Sequence, residues 1–412
     1  MSIRSATVNS PSTPLFAVLP PLALYVHIPW CIRKCPYCDF NSHELREALP
    51  ETQYVDALIA DLESALPSIW GRRVASVFFG GGTPSLFSAA AIDRTLAAIR
   101  ARVPLTADVE VTLEANPGTF ERMKFAGFKT AGVNRLSLGV QSFNPRHLAA
   151  LGRVHDEGEA RAAAAAALDI FDNVNLDLMY ALPGQTLDEA RADTAAALGY
   201  SPPHLSFYHL TIEPNTLFHR YPPQLPDDDA AAEIEDALED DMVTAGYRHY
   251  ETSAFARTGG ECRHNVNYWQ FGDYLGIGAG AHSKLSFPQR IVRQIRHKQP
   301  QRYLEAIGRG APIAEEREVS RVDVGFEFML NALRLTEGFP VAQFAERTGF
   351  DLASVQRELD EAERRGLVEC DHRRVRPTPL GRRFLNDLQA VFLPPELPPG
   401  AAVSRILTRG TP

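Results

Sequence analysis

The sequence predicts an α/β protein: a partial (β/α)6 barrel followed by a smaller, winged-helix-like α+β domain at the C-terminal end. Three observations predict it. Six apolar, strand-like runs alternate with helix-like runs through the first half of the chain, the pattern of parallel strands joined by helical crossovers. Six units fall short of the eight that close a barrel. Near the end, three helical stretches precede a short ribbon, the order of a winged helix.

The strand-like runs are Leu22–Ile28 (LALYVHI), Val74–Gly80 (VASVFFG), Val109–Ala115 (VEVTLEA), Asn134–Val140 (NRLSLGV), Val174–Tyr180 (VNLDLMY) and Leu205–Thr211 (LSFYHLT). Helix formers fill Tyr54–Leu66, Ala89–Arg102, Gly158–Leu168 and Leu187–Leu198. A polar or glycine residue stands near the end of each strand: His27, Gly80–Gly82, Glu114, Gln141, Asp177 and His209. In parallel α/β folds that edge is where sites are built. After about Tyr221 a Pro-rich linker leads to an acidic helix, then to an aromatic and Gly-rich stretch. The expected division is a leader over 1–20, expected to be disordered, the barrel over 21–225, an extension over 226–320, the C-terminal domain over 321–390 and a tail over 391–412.

The 412 residues carry a formal net charge of −9, with 45% hydrophobic and 23% charged residues. That is ordinary globular composition, and it disfavours a nucleic-acid partner. The basic run near Arg373 follows a helix rich in acids, unlike a recognition helix. No apolar run reaches the ~18 residues of a membrane span. Five cysteines, three of them clustered, make no disulfide framework, so a reducing cytoplasm is the expected location.

The cluster is Cys31, Cys35 and Cys38, spaced C-x3-C-x2-C directly after the first strand. Thiolates suit zinc or iron–sulfur clusters. Structural zinc takes four ligands, and here His27 or His43 would have to complete the set. A four-iron cluster on three cysteines instead leaves one iron free for a small molecule, which accounts for the missing fourth thiolate. Cys262 and Cys370 lie far away in sequence and read as buried or incidental thiols.

The stretch "YVHIPWCIRKCPYCDF" resembles the cluster motif of the radical S-adenosylmethionine (SAM) enzymes. It is most similar to the branch containing the oxygen-independent coproporphyrinogen III oxidase and the HemW heme chaperones. The likeness continues through "VFFGGGTPSLF", "VTLEANPG", "NRLSLGVQSFNPRHLAALGR", "VNLDLMYALPGQT" and "YHLTIEPNT". It implies a radical SAM barrel whose Cys31, Cys35 and Cys38 hold a [4Fe–4S] cluster, with SAM on the open iron. It places SAM contacts at Tyr25, Tyr37, Gly81, Gly82, Thr83, Glu114, Gln141, Arg153, Asp177, Tyr208 and His282. Arg153 suits a bidentate bond to a carboxylate.

Two departures separate the chain from the oxidase. Phe40 stands where the oxidase has a further cysteine, and only about twenty residues precede the first strand. "HNVNYW", His264 to Trp269, matches the signature of the heme chaperones. The resemblance therefore implies heme as cargo and a heme-acceptor protein, such as a respiratory one, reached in solution or in passing at a membrane. His264 is the expected iron ligand, and Tyr268 and Trp269 the flat surface beneath a porphyrin. The oxidase activity is the alternative.

Overall fold

The structure, a computed structural model, describes residues 13–118 and 121–394. All six expected strands form: β1 (Leu22–Ile28), β2 (Val74–Gly81), β3 (Leu105–Ala115), β4 (Arg135–Gln141), β5 (Asn173–Tyr180) and β6 (His204–His209). They lie side by side in sequence order, every neighbour parallel. The helices between them are α1 (Glu51–Ala65), α2 (Ala89–Arg102), α3 (Glu121–Ala131), α4 (Pro145–Ala150), α5 (Glu157–Ile170) and α6 (Leu187–Gly199). Capping boxes start α5, at Asp156 and Glu159, and α6, at Thr186 and Glu189.

Helix α3 was not expected from the sequence. A glycine and two β-forming phenylalanines weaken its local signal. Packing makes it: Phe125 and Phe128, three apart, are fully buried, and Gly127 lies so close to α2 that a Cβ would stand 2.7 Å from Ala89.

The extension does not stand apart from the sheet. It supplies α7 (Asp228–Thr244), β7 (Arg248–Glu251), β8 (Ala254–Ala256), α8 (Arg263–Trp269), β9 (Asp273–Ile277), β10 (His282–Phe287), β11 (Arg290–Arg296) and β12 (Ile313–Glu318). β8 and β7 continue the sheet antiparallel beyond β6, while β9 pairs parallel with β1 and leads to antiparallel β10, β11 and β12. One open sheet of twelve strands results. The C-terminal domain follows with α10 (Arg321–Ala332), after α9 (Pro300–Gly308), then β13 (Phe339–Pro340), α11 (Val341–Thr348), α12 (Gln356–Arg364), β14 (Val368–Cys370) and β15 (Arg374–Pro377). Phe328, Phe339 and Phe344 form its centre, edge to face at 4.9 Å. No helix of the described residues is long and apolar enough to cross a membrane.

Residues 1–12 of the expected leader and 395–412 of the tail fall outside the described residues. Residues 13–20 depart from the disorder expected of them. The N–H of Leu15 donates to Gly349 O and that of Phe16 to Pro288 O, at 3.1 and 3.2 Å.

Buried charge ties α1 to the extension. Asp61 accepts hydrogen bonds from the Gly278 N–H and the Tyr303 hydroxyl, both at 3.0 Å, and from the Arg296 guanidinium at 3.3 Å. Neither Asp61 nor Arg296 exposes more than 1% of its side chain. Removing one partner leaves the other charge buried alone, which costs about 3–5 kcal/mol. Asp61→Ala is therefore expected to lower denaturant stability by that order. Asp56→Ala, which breaks the exposed pair with Arg94, should cost at most about 1 kcal/mol. Equal losses in the two variants would refute the anchoring role of Asp61.

Candidate functional site

The cysteines sit on a loop that leaves β1 and returns beside it. Trp30–Cys31 pairs with His43–Glu44. The N–H groups of His43 and Leu45 donate to Pro29 O and Cys31 O at 2.7 and 2.9 Å, and Cys38 N–H closes a turn on Cys35 O at 3.1 Å. All three cysteines are free and half-buried, and each of the other two thiols acts electrostatically on Cys31. Burial pushes the Cys31 thiol up to about 11 and raises that of Cys38. Both are neutral thiols at pH 7 and would ionise only when a metal supplies compensating charge.

Among the described residues, no three His, Cys, Asp or Glu side chains converge on one metal-ion position. The zinc alternative requires that convergence. His27, its first candidate fourth ligand, has its ring nitrogens facing Tyr25 Oη at 3.1 Å and Asn41 O at 2.9 Å. Three neighbouring free thiols fit the three-cysteine ligation of an iron–sulfur cluster.

The glycine run brings β2 against this loop. Gly82 N–H donates to Ile28 O and Thr83 N–H to Trp30 O, each at 2.7 Å. A Cβ on Gly82 would lie 2.5 Å from Trp30 O. Gly81 has φ +115°, and a Cβ there would lie 2.5 Å from the His27 ring. The sequence reading gave these glycines to a ligand; what first needs their room is the chain itself.

A chain of hydrogen bonds crosses the strand ends. Asn116 Nδ2 donates to Thr83 Oγ1 at 3.0 Å, and Asn116 Oδ1 accepts from Arg153 Nη2 at 2.7 Å. The same Nη2 donates to Gly139 O at 2.7 Å, and Nη1 stands 3.7 Å from Cys35 Sγ. Arg153 Nε is buried with no partner among the described residues. The geometry thus keeps one guanidinium donor for a ligand carboxylate, and this fits SAM. Asn116 was missed by the sequence reading; its signal was an amide directly past the end of β3.

Glu114 and Asp177 stand deeper, on β3 and β5. Glu114 accepts the Gly81 N–H at 3.1 Å. Asp177 accepts from Ser137 Oγ at 2.9 Å and Asn175 Nδ2 at 2.7 Å. Burial, and then repulsion from Asp177, holds Glu114 at about 8, so it carries its proton at pH 7. Burial raises Asp177 too, against the hydrogen bonds that lower it. Gln141 ends β4 with φ +68°, a left-handed residue at the strand's edge. Tyr25 stacks on Phe78 at 6.1 Å, Tyr37 packs against Phe218 at 6.4 Å, and Tyr208 feels the charge of Asp177. His282, on β10, neighbours His27 and is pushed down to about 4 by burial, then by Lys298 and Arg293.

The HNVNYW residues make up most of α8, which packs against β1, β2 and β9 with its N-terminus on Glu110 and the His264 ring 6.2 Å from that of Tyr25. That carboxylate accepts the N–H groups of Arg263 and His264 at 3.3 and 3.2 Å. His264 is 1% exposed, with Nδ1 3.0 Å from Ser76 Oγ, its ring stacked on Phe78 at 4.8 Å, and its pKa lowered by burial to about 3. Trp269 is buried beneath the Arg334 guanidinium at 4.3 Å, and Tyr268 lies against Tyr274 at 4.3 Å. Of the three expected heme contacts, His264 and Trp269 are thus buried in this structure and Tyr268 is partly exposed. His264 Nε2 is buried with no hydrogen-bond partner among the described residues.

Residues 25–195 match the Radical SAM superfamily, and residues 319–384 match the HemN C-terminal domain. The heme chaperone HemW of Escherichia coli is 48% identical over 91% of this chain and 99% of its own length. That of Bacillus subtilis is 33% identical over 90% and 98%. A mitochondrial radical S-adenosyl methionine domain-containing protein 1 of Mus musculus is 35% identical over 90% and 87%. Among solved structures, coproporphyrinogen III oxidase (HemN) from Escherichia coli superposes with a TM-score of 0.77 at 24% identity, over 91% of this chain and 90% of that one, a likeness of fold.

The raised Glu114 gives a pH signature. The folded state keeps this proton to about pH 8, whereas the unfolded chain releases it near 4.5. Between those values unfolding releases a proton, so this group's contribution to stability falls as pH rises and levels off above about 8. In the metal-free protein, Glu114→Gln is expected to remove that fall from the stability–pH curve. Parallel curves for wild type and variant from pH 5 to 9, measured by denaturant midpoint, would refute it.

Proposed function

Because the chain belongs to the HemW family of heme chaperones within the radical SAM superfamily, we propose that it binds a [4Fe–4S] cluster, SAM and heme, and delivers heme to an acceptor protein. The observation that carries this reading is a likeness to named heme chaperones that runs nearly the whole length of both chains, with three free thiols gathered at the carboxyl edge of the sheet.

Cys31, Cys35 and Cys38 would hold the cluster. When bound, it supplies one-electron chemistry and an open iron for the amino and carboxylate groups of SAM. Arg153 Nε is the donor for the carboxylate, while its other nitrogens fix the cysteine loop to β3 and β4. Protonated Glu114 donates a hydrogen bond and Asp177 accepts one, which suits ribose hydroxyls or the amino group. Tyr25, Tyr37, Gly81, Gly82, Thr83, Gln141, Tyr208 and His282 complete the expected SAM surface. His264, Tyr268 and Trp269 serve in this reading as the packing of α8.

Two outcomes test it. After anaerobic reconstitution, alanine at Cys31, Cys35 or Cys38 should abolish the broad visible absorption and most bound iron, while Cys262→Ala and Cys370→Ala should not. Retained iron in the triple variant would sink the cluster assignment. Wild type should bind heme with a shifted Soret band and convert no coproporphyrinogen III when cluster, SAM and reductant are supplied. SAM-dependent decarboxylation requiring the three cysteines would overturn the carrier reading in favour of the oxidase.

A further inference from the structure

The carrier reading needs a seat for heme, and on α8 both His264 and Trp269 are buried. Three loops meet around the cysteines at the outer rim of the sheet. Pro36 O accepts the Phe218 N–H at 2.9 Å, and Gly152 packs so closely on the Pro36 ring that a Cβ would lie 2.9 Å from it. On these loops Ile32, Val154, Leu217 and Tyr221 are 61, 54, 57 and 65% exposed. Other large exposed side chains, such as Trp70, Met123 and Val322, are spread over separate helices and turns. Apolar side chains gathered at one rim mark a surface that something covers. Beneath them Leu151, Met179, Leu210 and Phe218 are buried together, with Tyr37 packed alongside, so the rim has a rigid floor.

Cations border the same rim. Arg33 follows Ile32 and is exposed. Arg220 is exposed and stands over the Tyr221 ring at 5.3 Å. Two carboxylates of these loops are already engaged. Asp156 caps α5, and Glu213 accepts from the Thr211 hydroxyl at 3.0 Å.

We propose that this rim is the docking surface for heme. The macrocycle lies across Ile32, Val154, Leu217 and Tyr221, and its two propionates reach Arg33 and Arg220. A porphyrin is a flat apolar disc with carboxylates on one edge, and the rim presents the complement: apolar side chains, one aromatic face, and guanidinium groups at the border. An open seat also leaves one face of the cargo free for an acceptor. This inference rests on the carrier reading and adds a location to it.

The test is a hemin titration of the reconstituted full-length protein, followed at the Soret band. Val154→Glu/Leu217→Glu should weaken binding about tenfold or more, with iron–sulfur content and thermal midpoint unchanged, since both side chains are exposed. Arg33→Glu/Arg220→Glu should weaken hemin binding and leave hemin dimethyl ester, which lacks the charged carboxylates, bound as by wild type. If wild type binds no hemin, the carrier reading itself fails. If wild type binds and both double variants bind as tightly, the rim assignment is overturned and the carrier reading stands. Normal heme affinity combined with impaired heme transfer would also overturn it, because the rim would then belong to the partner protein.

Discussion

The close approach of β2 to the loop leaving β1 is the constraint on which the site depends. With Gly81 and Gly82 bare, the end of β2 reaches Ile28 O and Trp30 O through backbone N–H groups. That contact fixes the start of the cysteine loop. The rest secures its other parts: Arg153 at Cys35, and Asn41, whose side chain donates to Ala279 O and Lys298 O at 2.9 and 3.0 Å. Gly280, at φ +79°, makes room for this second clasp, and Gly278, at φ +104°, for His27 O. The three thiols are thus held in place before any metal arrives, so less ordering remains for metal binding to accomplish.

A second constraint is the buried polar interior of the sheet. Arg135, Glu110, Asn175, His204 and His264 are nearly or wholly withdrawn from solvent. Burying such groups is costly unless they pair, and α8 supplies the pairing of Glu110. Its N-terminal N–H groups meet Glu110, while His204 joins Asn175 Oδ1 and Tyr250 Oη at 2.6 and 2.8 Å. The far end of α8 meets the C-terminal domain through Trp269 and Arg334, and the Arg334 side chain reaches toward Glu251. Nearby, Arg293 of β11 binds Glu327 of α10 at 2.9 Å. The HNVNYW helix therefore works as a linchpin between sheet and C-terminal domain.

Most of the barrel was legible in the sequence because its signals are local. Apolar runs of β-branched and aromatic residues, helix formers between them and polar residues at the strand ends fixed six strands, four helices and the edge that carries the site. The cysteine triplet pointed to metal chemistry by its spacing and its place directly after the first strand. Helix α3 escaped because its stability comes from Phe125 and Phe128 buried against the fold rather than from propensity. Asn116 escaped because an amide after a strand is common, and only its position between Thr83 and Arg153 gives it meaning.

By itself, then, the sequence determined the alternation of strands and helices, the thiol cluster and the family likeness, all properties of neighbours along the chain. Tertiary structure decided what depends on residues far apart in sequence. It carried the extension onto both edges of the sheet, since β8 pairs with β6 and β9 with β1. It raised Glu114 by bringing Asp177 near and shutting out water. It also buried His264, whose motif read as a heme ligand, because Ser76, Phe78 and Glu110 offered its helix contacts in place of solvent. A residue's type and spacing announce its chemistry, but access to solvent and to other charges is set only when distant segments pack.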